Sequence, residues 1–232
     1  NLSEAGVLRG VKAVLAGTDN SNRSVFYTHN GRDTDRFRTF YTAAQAYGRQ
    51  VVVTPRTAYL LGKLVDDEHL DLPNAMTDDM ISVYYRRKKS GEYQEKDYYG
   101  WERPFLGKMV TATEIRKNPK DYVMDLDFNC FTELIDIRPR TGSPFIYSMS
   151  EPFDEDDIEA QVMHNWLDHF GLEYHQLHAS GHMSRRDIEE AIKQVNPKKL
   201  FPIHTENPEL FKKSFGHVIL PEKSKRYILK ND

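Results

Sequence analysis

The chain has 232 residues, 39% of them hydrophobic and 29% charged, with a formal net charge of −3. That length supports one large domain or two small ones around a real core. The acidic balance excludes a protein that grips nucleic acid through its overall charge, so any such contact must be local. A single cysteine, Cys130, excludes an internal disulfide and fits a reducing cytoplasm. No apolar run approaches the ~20 residues that span a bilayer, and the N-terminus has no signal-peptide pattern. Residue 1 is Asn rather than Met, which reads as a processed or truncated chain.

The pattern along the chain alternates strand and helix. SVFYT (Ser24–Thr28) is a β-rich run, and Phe37, Phe40, Tyr41 and Ala44 then recur on one helical face. Gly48 supplies the helix end and QVVVT (Gln50–Thr54) a buried strand, which predicts a parallel βαβ unit. Further strands are expected at ISVYY (Ile81–Tyr85), DYVMDLDF (Asp121–Phe128) and SPFIYSM (Ser143–Met149). Between the first two of these, Arg86–Phe105 is charged and aromatic and reads as an exposed excursion. Its RRKK run beside Tyr93, Tyr98, Tyr99 and Trp101 suits single-stranded nucleic acid, with a solvated loop or a homodimer surface as the alternatives. A helix is predicted over about 156–170, with Ile158, Val162, Trp166 and Phe170 on its common face. The acidic run EPFDEDDIEAQ lacks the glycine and spacing of a calcium loop and suits a helix N-terminus. The whole alternation predicts an α/β fold with a largely parallel sheet.

Seven of the nine histidines lie between His164 and His217. LEYHQLH (172–178) reads as a strand entering the turn ASGH. Ser184 and Asp187 form a capping box for a helix striped by Ile188, Ala191, Ile192 and Val195, which Asn196-Pro197 ends. KKLFPIH is then expected as a second parallel strand finishing at His204. In that arrangement His178, Ser180, His182 and His204 share the carboxyl rim of the sheet, where open α/β folds bind ligands. An isolated histidine at a strand end is ordinarily structural; two such strand ends on one unit are a stronger signal.

ASGH at 179–182 followed by PIHTE at 202–206 resembles the end of the metallo-β-lactamase/β-CASP nucleases, the family that includes ribonuclease J and the cleavage-and-polyadenylation endonuclease. IYSMSEP places Glu151 at the family's acidic position. His178, Ser180 and His182 match its H-x-S-G-H turn, and FPIHTE places His204 at the last histidine, with Thr205 where glycine is usual. Gly31–Val53 is similar to the first β-CASP helix and the strand after it.

The resemblance implies a Rossmann-like β-CASP domain over 19–171. Residues 1–18 and 172–232 would then be a remnant and the C-terminal part of a metallo-β-lactamase αββα domain. It implies zinc, two ions in the longer enzyme, with His204 as a ligand and Glu206 orienting its surroundings. It also implies that Glu151 and His182 act on the scissile phosphate and that His178 and Ser180 bind phosphate oxygens.

The family's H-x-H-x-D-H signature is absent from the sequence. The expectation is therefore a C-terminal fragment of an RNA-processing hydrolase, inactive without an N-terminal lactamase half and acting on single-stranded RNA or, less specifically, DNA. A non-catalytic β-CASP scaffold and a hydrolase of a small ester or phosphoester remain alternatives. Cys130 reads as a buried, unreactive thiol.

Overall fold

The computed structural model describes residues 2–150, 158–179, 181 and 183–228. They form two units, Asn1–Ser180 and Gly181–Asp232.

The first unit is built on seven parallel strands. These are β1 (Val25–His29), β2 (Gln50–Val53), β3 (Ile81–Tyr84), β4 (Met109–Val110), β5 (Tyr122–Asp125), β6 (Pro144–Ser148) and β7 (Glu173–Gln176), in the order β4-β3-β2-β5-β1-β6-β7. The expected α/β class with a parallel sheet is what the chain adopts. The first β-α-β unit differs in one respect: β5 lies between β1 and β2, so the two strands are parallel without being neighbours.

Strand alternation divides the core into two layers. Val25, Tyr27, Val51, Val53, Val123 and Ile146 face one side, while Phe26, Val52, Met124 and Phe145 face the other. Three helices supply the first layer: α1 (Glu4–Thr18), α2 (Thr34–Ala46) and α3 (Pro55–Leu64). α1 contributes Val7, Val11 and Leu15, all fully buried, and α2 contributes Phe37 and Phe40. Each is capped by a side chain that accepts from a free N–H in the first turn: Ser3 for Gly6, Asp33 for Arg36 and Thr54 for Thr57. Gly48 turns the chain out of α2 at φ +63°, as its position suggested. The second layer is α4 (Ala112–Lys117), α5 (Leu134–Ile137) and α6 (Ile158–Phe170).

Two expectations change here. α6 buries Met163 and Leu167, while Ile158 is 75% exposed and Val162 37% exposed. The stripe of four-residue steps drifts around the helix, and the true contact face is one residue further on. The excursion 86–105 is also only half exposed. Tyr98, Glu102 and Phe105 are buried, Tyr98 packs edge-on against Tyr85 at 4.7 Å, and Tyr85 donates to the Glu102 carbonyl.

In the second unit, α7 (Arg185–Val195) starts at Ser184, whose hydroxyl accepts from the Asp187 N–H as expected, and ends at Asn196 in the left-handed conformation. Its stripe is less covered than predicted, and Val195 is 73% exposed. The expected strand through KKLFPIH is not part of the sheet. Leu200 makes an isolated parallel bridge to Val218, and a short helix, α8 (Glu209–Ser214), follows. Pro202 has no N–H to give a ladder, and His204 turns away from strand geometry at φ +57°. Among the described residues, no helix is long and apolar enough to cross a membrane.

The corrected face of α6 has a direct test. Leu167→Ala should destabilise the protein by about 2–5 kcal/mol, whereas Val162→Ala should cost less than about 1 kcal/mol, both read by urea denaturation. Equal losses would restore the predicted face.

Candidate functional site at the carboxyl edge of the sheet

The C-terminal ends of β1, β5, β6 and β7 carry a polar cluster on the α1–α2 side of the sheet. Arg36 is its hub. It occupies the first turn of α2, four residues before Phe40, and so lies in the helix's buried stripe with 1% of its side chain exposed. Its guanidinium donates to both carboxylate oxygens of Glu4 on α1, at 2.8 and 3.0 Å. It also donates to the Ser148 hydroxyl at 2.6 Å and reaches the Leu177 carbonyl at 3.4 Å. Ser148 in turn donates to the Leu177 carbonyl at 2.6 Å. One cation thus ties two helices to the ends of β6 and β7.

His178 follows immediately. Its Nδ1 lies 3.3 Å from the Ser148 carbonyl and its Nε2 3.4 Å from the Ser150 hydroxyl. A carbonyl can only accept, so Nδ1 carries the proton. Nε2 is then the free position of the neutral ring, accepting from Ser150, or a donor when the ring is protonated. The backbone at this corner is fixed as well: Leu177 N–H donates to Tyr147 at 3.0 Å, and the Gln176 amide donates to the Met149 carbonyl at 2.8 Å. His178 is half-buried, with one ring edge held and the other available.

Further along the edge, His29 and Asp125 are both buried, with Nδ1 and Oδ1 3.8 Å apart. Tyr27 stands on the same face of β1, its ring stacked on Phe40 at a centroid distance of 3.9 Å. Burial, and then the neighbouring Asp125 charge, push the Tyr27 hydroxyl well above its ordinary pKa, so it stays protonated. The Tyr27 hydroxyl and His29 Nδ1 are buried without a hydrogen-bond partner among the described residues.

The sequence-predicted residues divide into three groups. His178 stands on the rim, as expected. Glu151, Ser180 and His182 lie outside the described residues, as does most of the acidic run at 151–157. His204 and Glu206 belong to the second unit, where both are exposed on a bent segment rather than at a strand end, and Thr205 accepts from the Asn207 N–H at 3.3 Å. Sequence reasoning missed Arg36, Glu4, Ser148, His29 and Asp125. An arginine spaced to fall in an apolar helix stripe was the available signal for the first.

Among the described residues, no three His, Cys, Asp or Glu side chains group as a metal site. Cys130 is half-buried, and burial followed by the Asp127 charge raises its thiol pKa, which agrees with an unreactive cysteine.

Residues 171–215 match the Zn-dependent metallo-hydrolase RNA specificity domain family. The matched stretch runs from the start of β7 through the His178 turn, α7, His204 and α8. It therefore connects these residues with a zinc-dependent hydrolase and RNA-specificity context. Over 98% of its length the chain also superposes on a crystal structure of a protein of unknown function from Enterococcus faecalis V583, with TM-score 0.67 and 21% identity. At that identity the likeness is one of fold. The chain spans 46% of the length of that protein. No curated protein matches it.

Two outcomes follow from the geometry. Glu4→Ala leaves a buried guanidinium without its carboxylate and should cost about 2 kcal/mol, more than the 0–1 kcal/mol of a surface pair. Pairing it with Arg36→Met should cost less than the two changes summed, because each substitution removes the other's partner. Chemical denaturation of the two singles and the double measures this coupling, and strict additivity would show that the pair carries none. Separately, Cys130 should alkylate several-fold more slowly with iodoacetamide at neutral pH in the folded protein than in urea. Equal rates would contradict a raised thiol pKa.

Proposed function

We propose that this chain is part of a zinc-dependent RNA-processing hydrolase of the metallo-β-lactamase/β-CASP type, cleaving phosphodiester bonds as a ribonuclease J-like enzyme does. The match of 171–215 to an RNA specificity domain of zinc-dependent metallo-hydrolases carries this reading. The three-layered parallel sheet, with polar groups gathered at its carboxyl edge, supports it. In this proposal residues 19–171 are the β-CASP domain, and 1–18 and 172–232 belong to the metallo-β-lactamase domain. The partner that completes the enzyme is an N-terminal lactamase half carrying the remaining metal ligands.

The proposed roles follow the chemistry of each side chain. In its protonated form His178 donates from Nε2 to a phosphate oxygen while the Ser148 carbonyl accepts from Nδ1, and Ser180 donates to the same group. His182, assisted by Glu151, handles the proton at the scissile phosphate. His204 is the chain's ligand to the metal centre and Glu206 orients its surroundings. The second reading is a non-catalytic β-CASP scaffold, favoured by the absence of an H-x-H-x-D-H motif from the sequence.

The test is cleavage of a 5′-labelled RNA. The 232-residue chain should be inactive with or without added zinc. Completed by a metallo-β-lactamase half, it should cleave, lose activity to a chelator and regain it with zinc. His182→Ala in that protein should lower kcat by about 100-fold or more. Metal-dependent cleavage by the chain alone would refute the division of labour, and a completed protein that binds RNA without cutting it would favour the scaffold.

A further inference from the structure

Three aromatic rings outside the carboxyl-edge cluster stand together in solvent. Tyr59 on α3 is 41% exposed, and Tyr99 and Trp101, on the segment after β3, are 68% and 40% exposed. Trp101 meets Tyr59 edge-on at 5.8 Å, and its plane lies within 8° of that of Tyr99 at 6.4 Å. Side chains this large and apolar are ordinarily buried, and here two elements bring three of them to one exposed place.

Their support is rigid. The intervening residues turn inward: Tyr98 packs on Tyr85, Tyr85 holds the Glu102 carbonyl, and Phe105 is buried near α3. Arg103 donates to the Tyr98 carbonyl at 3.0 Å. The rings are thus presented in a fixed arrangement, which reduces the ordering cost of binding.

The charge around them is cationic. Arg56, Tyr59 and Lys63 follow one another along a single exposed face of α3, and the Lys63 ammonium sits 5.4 Å from the Tyr59 ring centre. Lys88 lies 4.9 Å from the Tyr99 ring centre. The nearest carboxylate, Glu102, is buried and already paired with Lys88 at 2.8 Å. Asp97 accepts from Ser90, and Glu92 accepts from the Gln94 amide at 2.7 Å. Over 86–105 six cations face four carboxylates, and α3 adds two more cations without adding a carboxylate to that face.

We propose that Tyr59, Tyr99 and Trp101, flanked by Arg56 and Lys63, form a base-stacking surface for single-stranded RNA. Exposed rings take base faces and the flanking cations take phosphates, the combination that binds single strands with little sequence preference. In the sheet, β3 and β7 are separated by four strands, roughly 24 Å at the usual strand spacing. The surface is therefore separate from the His178 turn and would hold RNA away from it. The choice of RNA rests on the function proposed above; the choice of a stacking ligand does not.

Fluorescence anisotropy of the chain with labelled oligoadenylate tests the proposal. Tyr99→Ala and Trp101→Ala should each weaken binding about tenfold. Trp101→Phe, which keeps a ring, should stay close to wild type, and circular dichroism confirms that the variants fold. Arg56→Gln with Lys63→Gln should flatten the salt dependence by about one to two released ions. In a Trp166→Phe background the single remaining tryptophan, Trp101, should be quenched as RNA is added.

Alanine variants that bind as tightly as wild type overturn the proposal, as does a wild-type chain that binds no oligoadenylate. A dimer that Trp101→Ala converts to monomer assigns the face to a second copy and also overturns it. His178→Ala separates the two readings. If only that change abolishes binding, the stacking surface fails and the phosphate role of the turn stands; if only the ring variants lose affinity, the reverse holds.

Discussion

Arg36 is the constraint on which the carboxyl edge depends. A guanidinium with 1% of its surface in water has lost nearly all its hydration, and that loss must be offset by charge-assisted hydrogen bonds of good geometry. Glu4 supplies the charge at one terminal nitrogen and Ser148 and the Leu177 carbonyl bind the other, while Nε is buried without a partner among the described residues. These partners come from α1, β6 and the exit of β7. If α1 docks elsewhere, Arg36 loses its carboxylate; if Arg36 is stranded, the Leu177 carbonyl keeps only its bond from Ser148. The position of His178, one residue later, is downstream of both conditions.

Polar groups are buried at both ends of this sheet, Ser24, Arg49 and Ser143 at the amino end and His29, Asp125 and Ser148 at the carboxyl end. Inside the layers, β1, β2, β5 and β6 alternate apolar residues between two helical coats, leaving no room for polarity. At the carboxyl ends the strands stop, and His29, Asp125 and Ser148 take the last positions on the α1–α2 face. Tyr27 and His29 are buried with unpartnered polar atoms among the described residues, a state that costs free energy wherever it occurs. That polarity is retained at the rim, beside the His178 turn, is the physical reason for regarding this edge as the working one.

What the sequence reveals here is what short-range pattern can encode. Six of the seven strands were legible in the sequence, all but the two-residue β4, and the Ser184 and Gly48 signals came from local backbone chemistry. α6 was misread because a stripe of i, i+4 steps falls behind the helical turn, so that Val162 and Ile158 rotate into solvent while Met163 and Leu167 take the core. In 86–105 the aromatics point alternately inward and outward, and composition alone cannot separate Tyr98 from Tyr99. The Arg36 network was out of reach for another reason. Its partners lie 32, 112 and 141 residues away along the chain, and only the assembled sheet brings them together. The strand predicted to deliver His204 failed on Pro202 and on a left-handed His204, both local effects that the apolar run concealed.

The two units bear on function differently. Every residue in the two clusters of buried apolar side chains falls between Val7 and Ala179. The first unit therefore has the packing to hold groups in place, and Arg36 and His178 are held. In the second unit α7 has no buried residue among those described, and Ile203 is 75% exposed. A metal ligand needs its ring oriented by a further hydrogen bond and its centre completed by other donors; His204 is exposed, and among the described residues no three such donors group together. The match to an RNA specificity domain runs through both units, from residue 171 to 215. It thus joins a histidine whose geometry is already set to one whose geometry is not. Phosphate recognition at His178 is accordingly the part of the proposed chemistry that the packing of the described residues supports.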